Sequence, residues 1–130
     1  MNRSADWLEQ ARNNLEHARR SIAMGDYAWA CFAAQQSAEA AVKGLHLRAG
    51  NVAWGHSVLD LLAALPERLG VAETLLDAAR VLDKYYIPTR YPDAHPAGSA
   101  ARHYTGAEAE HAARCAETIL GHCEHEDLEL

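Results

Sequence analysis

Residues that build strands are scarce in this chain of 130: five Val, three Ile and four Thr. That scarcity disfavours an all-β fold and a Rossmann-type sheet, both of which draw on β-branched side chains. No apolar stretch is long enough to cross a membrane. The opening residues, MNRSADWLEQARNN, lack the apolar run of a signal peptide. Cys31, Cys115 and Cys123 are an odd number of cysteines without the spacing of a zinc site. Together these absences point to a cytoplasmic protein with free thiols. A basic face is missing too. Net charge is −6, and residues 101–130 hold seven acidic side chains against two basic ones. Broad, non-specific DNA binding needs the opposite balance. There is no Gly-rich phosphate loop, no G-x-S-x-G and no H-E-x-x-H, which removes the NTPase, hydrolase and zinc-protease classes.

What the chain has in abundance is 27 Ala and 15 Leu, the strongest helix formers. Its length suits one domain, 1–130, with about 5–124 ordered and no linker, repeat or low-complexity tract. Gly and Pro divide it into helices. The first, 4–23, starts at Ser4 as N-cap and presents Trp7, Ala11, Leu15, Ala18 and Ile22 as one stripe. The second runs from Asp26 as N-cap to just before Gly50, with a stripe of Tyr27, Cys31, Ala34, Ala38, Ala41 and Leu45. Its alanines let a partner helix approach closely, and the joint Met24-Gly25-Asp26 forces an antiparallel hairpin. Ser57 with Asp60 reads as a capping box for a short helix whose Val58, Leu61, Leu62 and Leu65 face inward. A fourth helix covers about 72–86. Three of the four prolines fall in 87–104, which makes that segment a loop. Thr105 and Glu108 form another capping box and start a last helix over about 106–124, followed by a frayed tail. The expected architecture is an all-α, up-and-down bundle of four or five helices.

A connection as long as 87–104 in a small domain is usually functional. It holds Arg90, Tyr91, Asp93, His95, Arg102, His103 and Tyr104. Arg90 and His95, with four residues between them, suit phosphodiester chemistry without a metal: the imidazole takes a ribose 2′-hydroxyl proton and the guanidinium stabilises phosphate charge. Tyr91 or Asp93 would orient them. The plainer alternative has the prolines fixing a turn, Arg90 paired with a carboxylate and His95 solvated. On the second helix Gln36, Glu39 and Lys43 share a face, either a solvated polar stripe or a patch for phosphate and partner contacts. His122 and His125 have a spacing that can ligate a metal, but no distant partner pair accompanies them, so they read as an acidic solvated terminus. His17, His46 and His111 read as surface residues and His56 as structural. Cys31 and Cys115 read as small core residues, and Trp7, Trp29 and Trp54 as core or interface residues.

The runs YAWACFAAQQSAEAAVKGLHLRAG, GHSVLDLL, LDKYYIPTRYPDA and HYTGAEAEHAARCAETIL resemble the HEPN family (higher eukaryotes and prokaryotes nucleotide-binding) over residues 5–121. YIPTRYPDA at 86–94 is their most specific part. The resemblance implies a helical bundle, commonly a homodimer, that pairs with a minimal nucleotidyltransferase in a two-component module of toxin–antitoxin type. It also implies an alternative, a metal-independent endoribonuclease whose Arg and His face a dimer cleft, with Arg90 and His95 at the matching positions. Binding contacts to RNA or nucleotide would fall on Gln36, Lys43, Tyr86, Tyr91 and Asp93, with no cofactor, no metal and no membrane. A non-catalytic dimeric scaffold is the third possibility.

Overall fold

Alanine governs how closely the helices of this chain approach one another. The computed structural model describes residues 2–130. It contains α1 (Ser4–Ala23), α2 (Tyr27–Arg48), α3 (Val58–Ala63), α4 (Glu73–Asp83) and α5 (Gly106–Glu129), with no strand among the described residues. Fifteen of the 22 residues of α2 are buried, so this helix is enclosed on nearly all sides and forms the spine of the bundle. α1 and α5 lie along it, and α3 and α4 close its remaining flank. Ala30, Ala34, Ala38 and Ala41 have no exposed surface at all. The Ser37 hydroxyl donates to the carbonyl of Ala11 at 2.7 Å, a bond that needs the α1 and α2 backbones close together. At Gly44 an added Cβ would stand 3.1 Å from Trp7 Cβ and 3.2 Å from the Ser4 carbonyl oxygen.

The hairpin between α1 and α2 closes as expected. Gly25 takes φ +80°, its N–H donates to Ile22, and Asp26 N–H donates to Ser21. This is the Schellman pattern, which needs a residue free to adopt positive φ. The Thr105–Glu108 capping box is present in both directions.

Several expectations need correction. Ser4 is the first residue of α1 and is buried; Asn2 Oδ1 accepts its N–H instead, at 2.9 Å. The inner stripe of α1 includes Leu8 rather than Trp7, because this helix contacts α5 as well as α2 and turns its apolar face between them. Asp26 makes no side-chain cap. Ser57 does accept from Asp60 N–H, but Asp60 gives no reciprocal bond, and further capping of this helix comes from α4. Asp83 accepts from Val58 N–H at 2.7 Å, from Leu59 N–H at 3.1 Å and from the Ser57 hydroxyl at 3.0 Å. α4 ends at Asp83, short of 86. The segment after it is irregular, as expected, apart from two 3-10 turns at Pro92–Ala94 and Ala100–His103. α5 runs on to Glu129 where a frayed tail was expected. Cys123 is buried there, and Arg12 of α1 pairs with Glu124 while Arg48 of α2 pairs with Asp127, tying the last turns to the bundle.

His46 is also no surface residue. It is buried, and its Nε2 bonds the Leu61 carbonyl at 2.7 Å, pinning α3 to α2. The three cysteines are buried and unpaired, and burial pushes the thiols of Cys31 and Cys123 up to about 12. Such thiols stay protonated and are poor nucleophiles near neutral pH. No helix among the described residues is long and apolar enough to span a membrane.

Candidate functional site

Pro88 and Pro92 keep residues 84–99 out of an α-helix, and the backbone there folds back on itself. Thr89 is buried, and its hydroxyl donates to the Tyr85 carbonyl at 2.7 Å, while Arg90 N–H reaches the Ile87 carbonyl. This turn aims Arg90 at α2. Its Nε donates to the Tyr86 carbonyl at 2.8 Å. Its guanidinium carbon lies 4.4 Å from the ring centre of Phe32, 4.7 Å from Tyr86 and 5.2 Å from Tyr91. Three aromatic rings therefore surround the cation, and no carboxylate among the described residues pairs with it. That corrects the plain alternative for Arg90. The two terminal nitrogens of its fork have no hydrogen-bond partner among the described residues.

A second polar group adjoins this box. The His56 ring stacks on Tyr86 at 4.5 Å, with the planes 18° apart. His56 Nδ1 donates to Glu39 Oε1 at 3.1 Å. Lys43 Nζ holds the other oxygen, Oε2, also at 3.1 Å. Gln35, with no exposed surface, donates to the His56 carbonyl at 2.9 Å and accepts from Gln36 at 2.7 Å. The Gln36/Glu39/Lys43 face is thus no solvated stripe. Glu39 is only 8% exposed, with His56 and Lys43 set against its two oxygens. Lys43 is engaged by Glu39 and lies 5.9 Å above the Trp7 ring, so its charge is already partnered.

His95 belongs to a different cluster. Its Nε2 bonds the Pro88 carbonyl at 2.7 Å. Its ring stacks on His103 at 4.4 Å, and Tyr104 meets it edge-on at 5.6 Å. His95 is half-buried and hydrogen-bonded, not freely solvated. Burial raises the phenol pKa of Tyr104 and pushes that of Tyr85 up to about 12, beneath this cluster. No hydrogen bond joins Arg90 to His95; both are tied to the 86–88 backbone, by separate carbonyls. Asp93 is exposed on the Pro92–Ala94 turn without a hydrogen-bond partner among the described residues.

Of the residues singled out from sequence, Arg90, Tyr86 and Tyr91 come together, Gln36 and Lys43 gather around Glu39, and His95 and Asp93 stand apart. Phe32, Gln35, Glu39 and His56 complete the arrangement. Next to it, a groove of about 410 Å³ between α1 and α2 runs past Trp7, Trp29, Phe32, Gln36 and Glu39. Trp29 is 52% exposed on its rim, and Trp54 is exposed elsewhere, so neither is a core residue.

These features define a class: a five-helix bundle with an aromatic-boxed arginine and a carboxylate–imidazole pair between its central helix and the connections that pack on it. The HEPN domain family model matches residues 4–126. The chain is 70% identical to TT1696 from Thermus thermophilus, covering 96% of this chain and 98% of that one, with a TM-score of 0.95. It is 39% identical to an archaeal HEPN homologue, covering 98% and 99% of the two chains, with a TM-score of 0.82. It is 42% identical to a HEPN domain protein from Thermotoga maritima, covering 92% and 95%, with a TM-score of 0.76. No curated protein matches it significantly. The chain belongs to the HEPN domain family.

Proposed function

We propose that this chain binds RNA or a free nucleotide, with Arg90 as the phosphate clamp. One observation carries this: the guanidinium is held by three rings and one carbonyl, while its terminal nitrogens stay uncommitted. A fork fixed in advance loses little side-chain entropy on meeting a phosphate, and its geometry matches two phosphate oxygens. Tyr91, 45% exposed beside it, offers a face for a base. The net charge of −6 limits the grip to a few phosphates, so affinity should depend only weakly on salt.

The test is fluorescence anisotropy of a labelled single-stranded oligoribonucleotide. Arg90→Ala is expected to weaken binding roughly tenfold or more and to flatten the salt dependence by about 0.7 in log–log slope, the share of one single-strand phosphate. Arg90→Lys should not restore it, since an ammonium cannot reproduce the fork or the stacking. Affinity unchanged in Arg90→Ala would refute the clamp.

By its likeness to the family, the chain also works as a homodimer with a minimal nucleotidyltransferase as partner, in a module of toxin–antitoxin type. The purified chain is then expected to sediment at twice its protomer mass and to co-purify with a nucleotidyltransferase encoded beside it. A homodimer that emerges from co-expression without that partner argues for the scaffold alternative, and a monomer counts against both.

A further inference from the structure

From Tyr91 to Ser99 the chain lies on the outside of the bundle. Every residue of that stretch is exposed except His95, which is half-buried. Its backbone hydrogen bonds reach no further than three residues. The longer ties are made by two imidazoles. His95 Nε2 bonds the Pro88 carbonyl at 2.7 Å, and His103 Nε2 bonds the Ala97 carbonyl. The two rings lie face to face, 4.4 Å apart and within 4° of parallel. This stack clips the exposed stretch to the turns on either side of it, helped by the Arg102 side chain, which lies against Gly98.

A carbonyl oxygen only accepts, so both rings carry their hydrogen on Nε2, and Nδ1 is where each takes up a further proton. Neither Nδ1 has a hydrogen-bond partner among the described residues. One proton on the pair is tolerated, because a single cation can rest on a neutral ring. A second sets two positive charges 4.4 Å apart. The surroundings offer no relief. Arg90 and Arg102, on the same connection, are positive as well. Asp93 is exposed and bonds neither ring. From α5, the Glu108 carboxylate is held by the Thr105 N–H and hydroxyl. Tyr104, edge-on to His95, and Tyr85 behind it keep their phenol protons, and buried Cys31 of α2 keeps its thiol proton.

We infer that the His95–His103 stack is a proton-operated clasp, closed while the pair holds at most one proton and opened by the second. Free imidazoles fill with protons below about pH 6.5. In that range the open form holds one proton more than the stacked form. Acid therefore favours opening, by about tenfold in population per pH unit. The stretch released begins at Tyr91, one wall of the Arg90 box, so acid loosens that wall too. The clasp does not depend on what Arg90 binds.

The experiment is proton NMR of the full chain between about pH 7.5 and about pH 5, a span that brackets imidazole titration. It reads the through-space contact between the two rings, whose signals are assigned with His95→Phe and His103→Phe. The contact is expected to be strong at the upper end and to fall roughly tenfold or more at the lower end, with the signals of α2 and α5 unmoved. In His103→Phe the ring at 103 takes no charge, so its contact with His95 should persist in acid. A native contact that survives in acid overturns the clasp. A loss of equal size in His103→Phe also overturns it, since the second charge is then not the cause. So does a loss in step with the signals of α2 and α5, which is general unfolding.

Discussion

Gly44→Val is expected to destabilise the fold by about 3 kcal/mol, the upper end of what overpacking a close contact costs. A Cβ at this position would meet Trp7 Cβ at 3.1 Å and the Ser4 backbone oxygen at 3.2 Å. The first contact is the root of a side chain and the second is main chain, so neither swings away as a flexible tip does. Two further methyl groups force α1 from α2 and strain the Ser37–Ala11 bond nearby. Because single domains hold only about 5–15 kcal/mol in total, that is a large fraction. The melting temperature should fall by roughly 10 °C. Gly44→Ala should fall between the variant and the native chain. A melt of Gly44→Val superimposable on the native one would show that the two helices separate at no cost.

Asp83→Ala should destabilise by about 2–3 kcal/mol, since it orphans donors that were bonded to a charged group. Val58 and Leu59 N–H lose their acceptor together with the Ser57 hydroxyl. α3 has only six residues and no propensity to stand alone, so this cap from α4 is what starts it. Asp83→Asn should recover part of the loss, since one amide oxygen still accepts. Chemical denaturation gives the magnitude, and amide exchange should quicken first at Val58 and Leu59. Ser57 follows His56 directly, so the same substitution should loosen the imidazole from Glu39. Native exchange rates at these two amides in Asp83→Ala would contradict the capping role.

The helices were legible because Gly and Pro punctuate this chain sharply and because alanine and leucine repeat at helical spacing. Gly25, the Thr105–Glu108 box and the inward face Val58, Leu61, Leu62 and Leu65 all lie where local chemistry places them. What local chemistry does not carry is the partner that lies far along the chain. Asp83 caps a helix that begins twenty-five residues earlier. Glu39 and His56 stand seventeen residues apart, and no period or motif joins them. Their contact depends on Gln35 of α2 holding the His56 carbonyl, which brings the imidazole back to the helix. The Gln36/Glu39/Lys43 face looked solvated for the same reason: polarity marks exposure only where nothing folds over it. The chemistry of Arg90 is legible in its residue type, but its aromatic setting depends on Phe32, almost sixty positions away, and on a turn closed by Thr89.

Gln35 and Glu39 are seated on the helix that every other helix of the bundle touches, so their backbone should open only with the most protected part of the bundle. Breathing of the surface leaves that floor in register. If the proposed ligand binds at this face, it meets a helical wall on one side and, on the other, the irregular connections that carry His56 and Arg90.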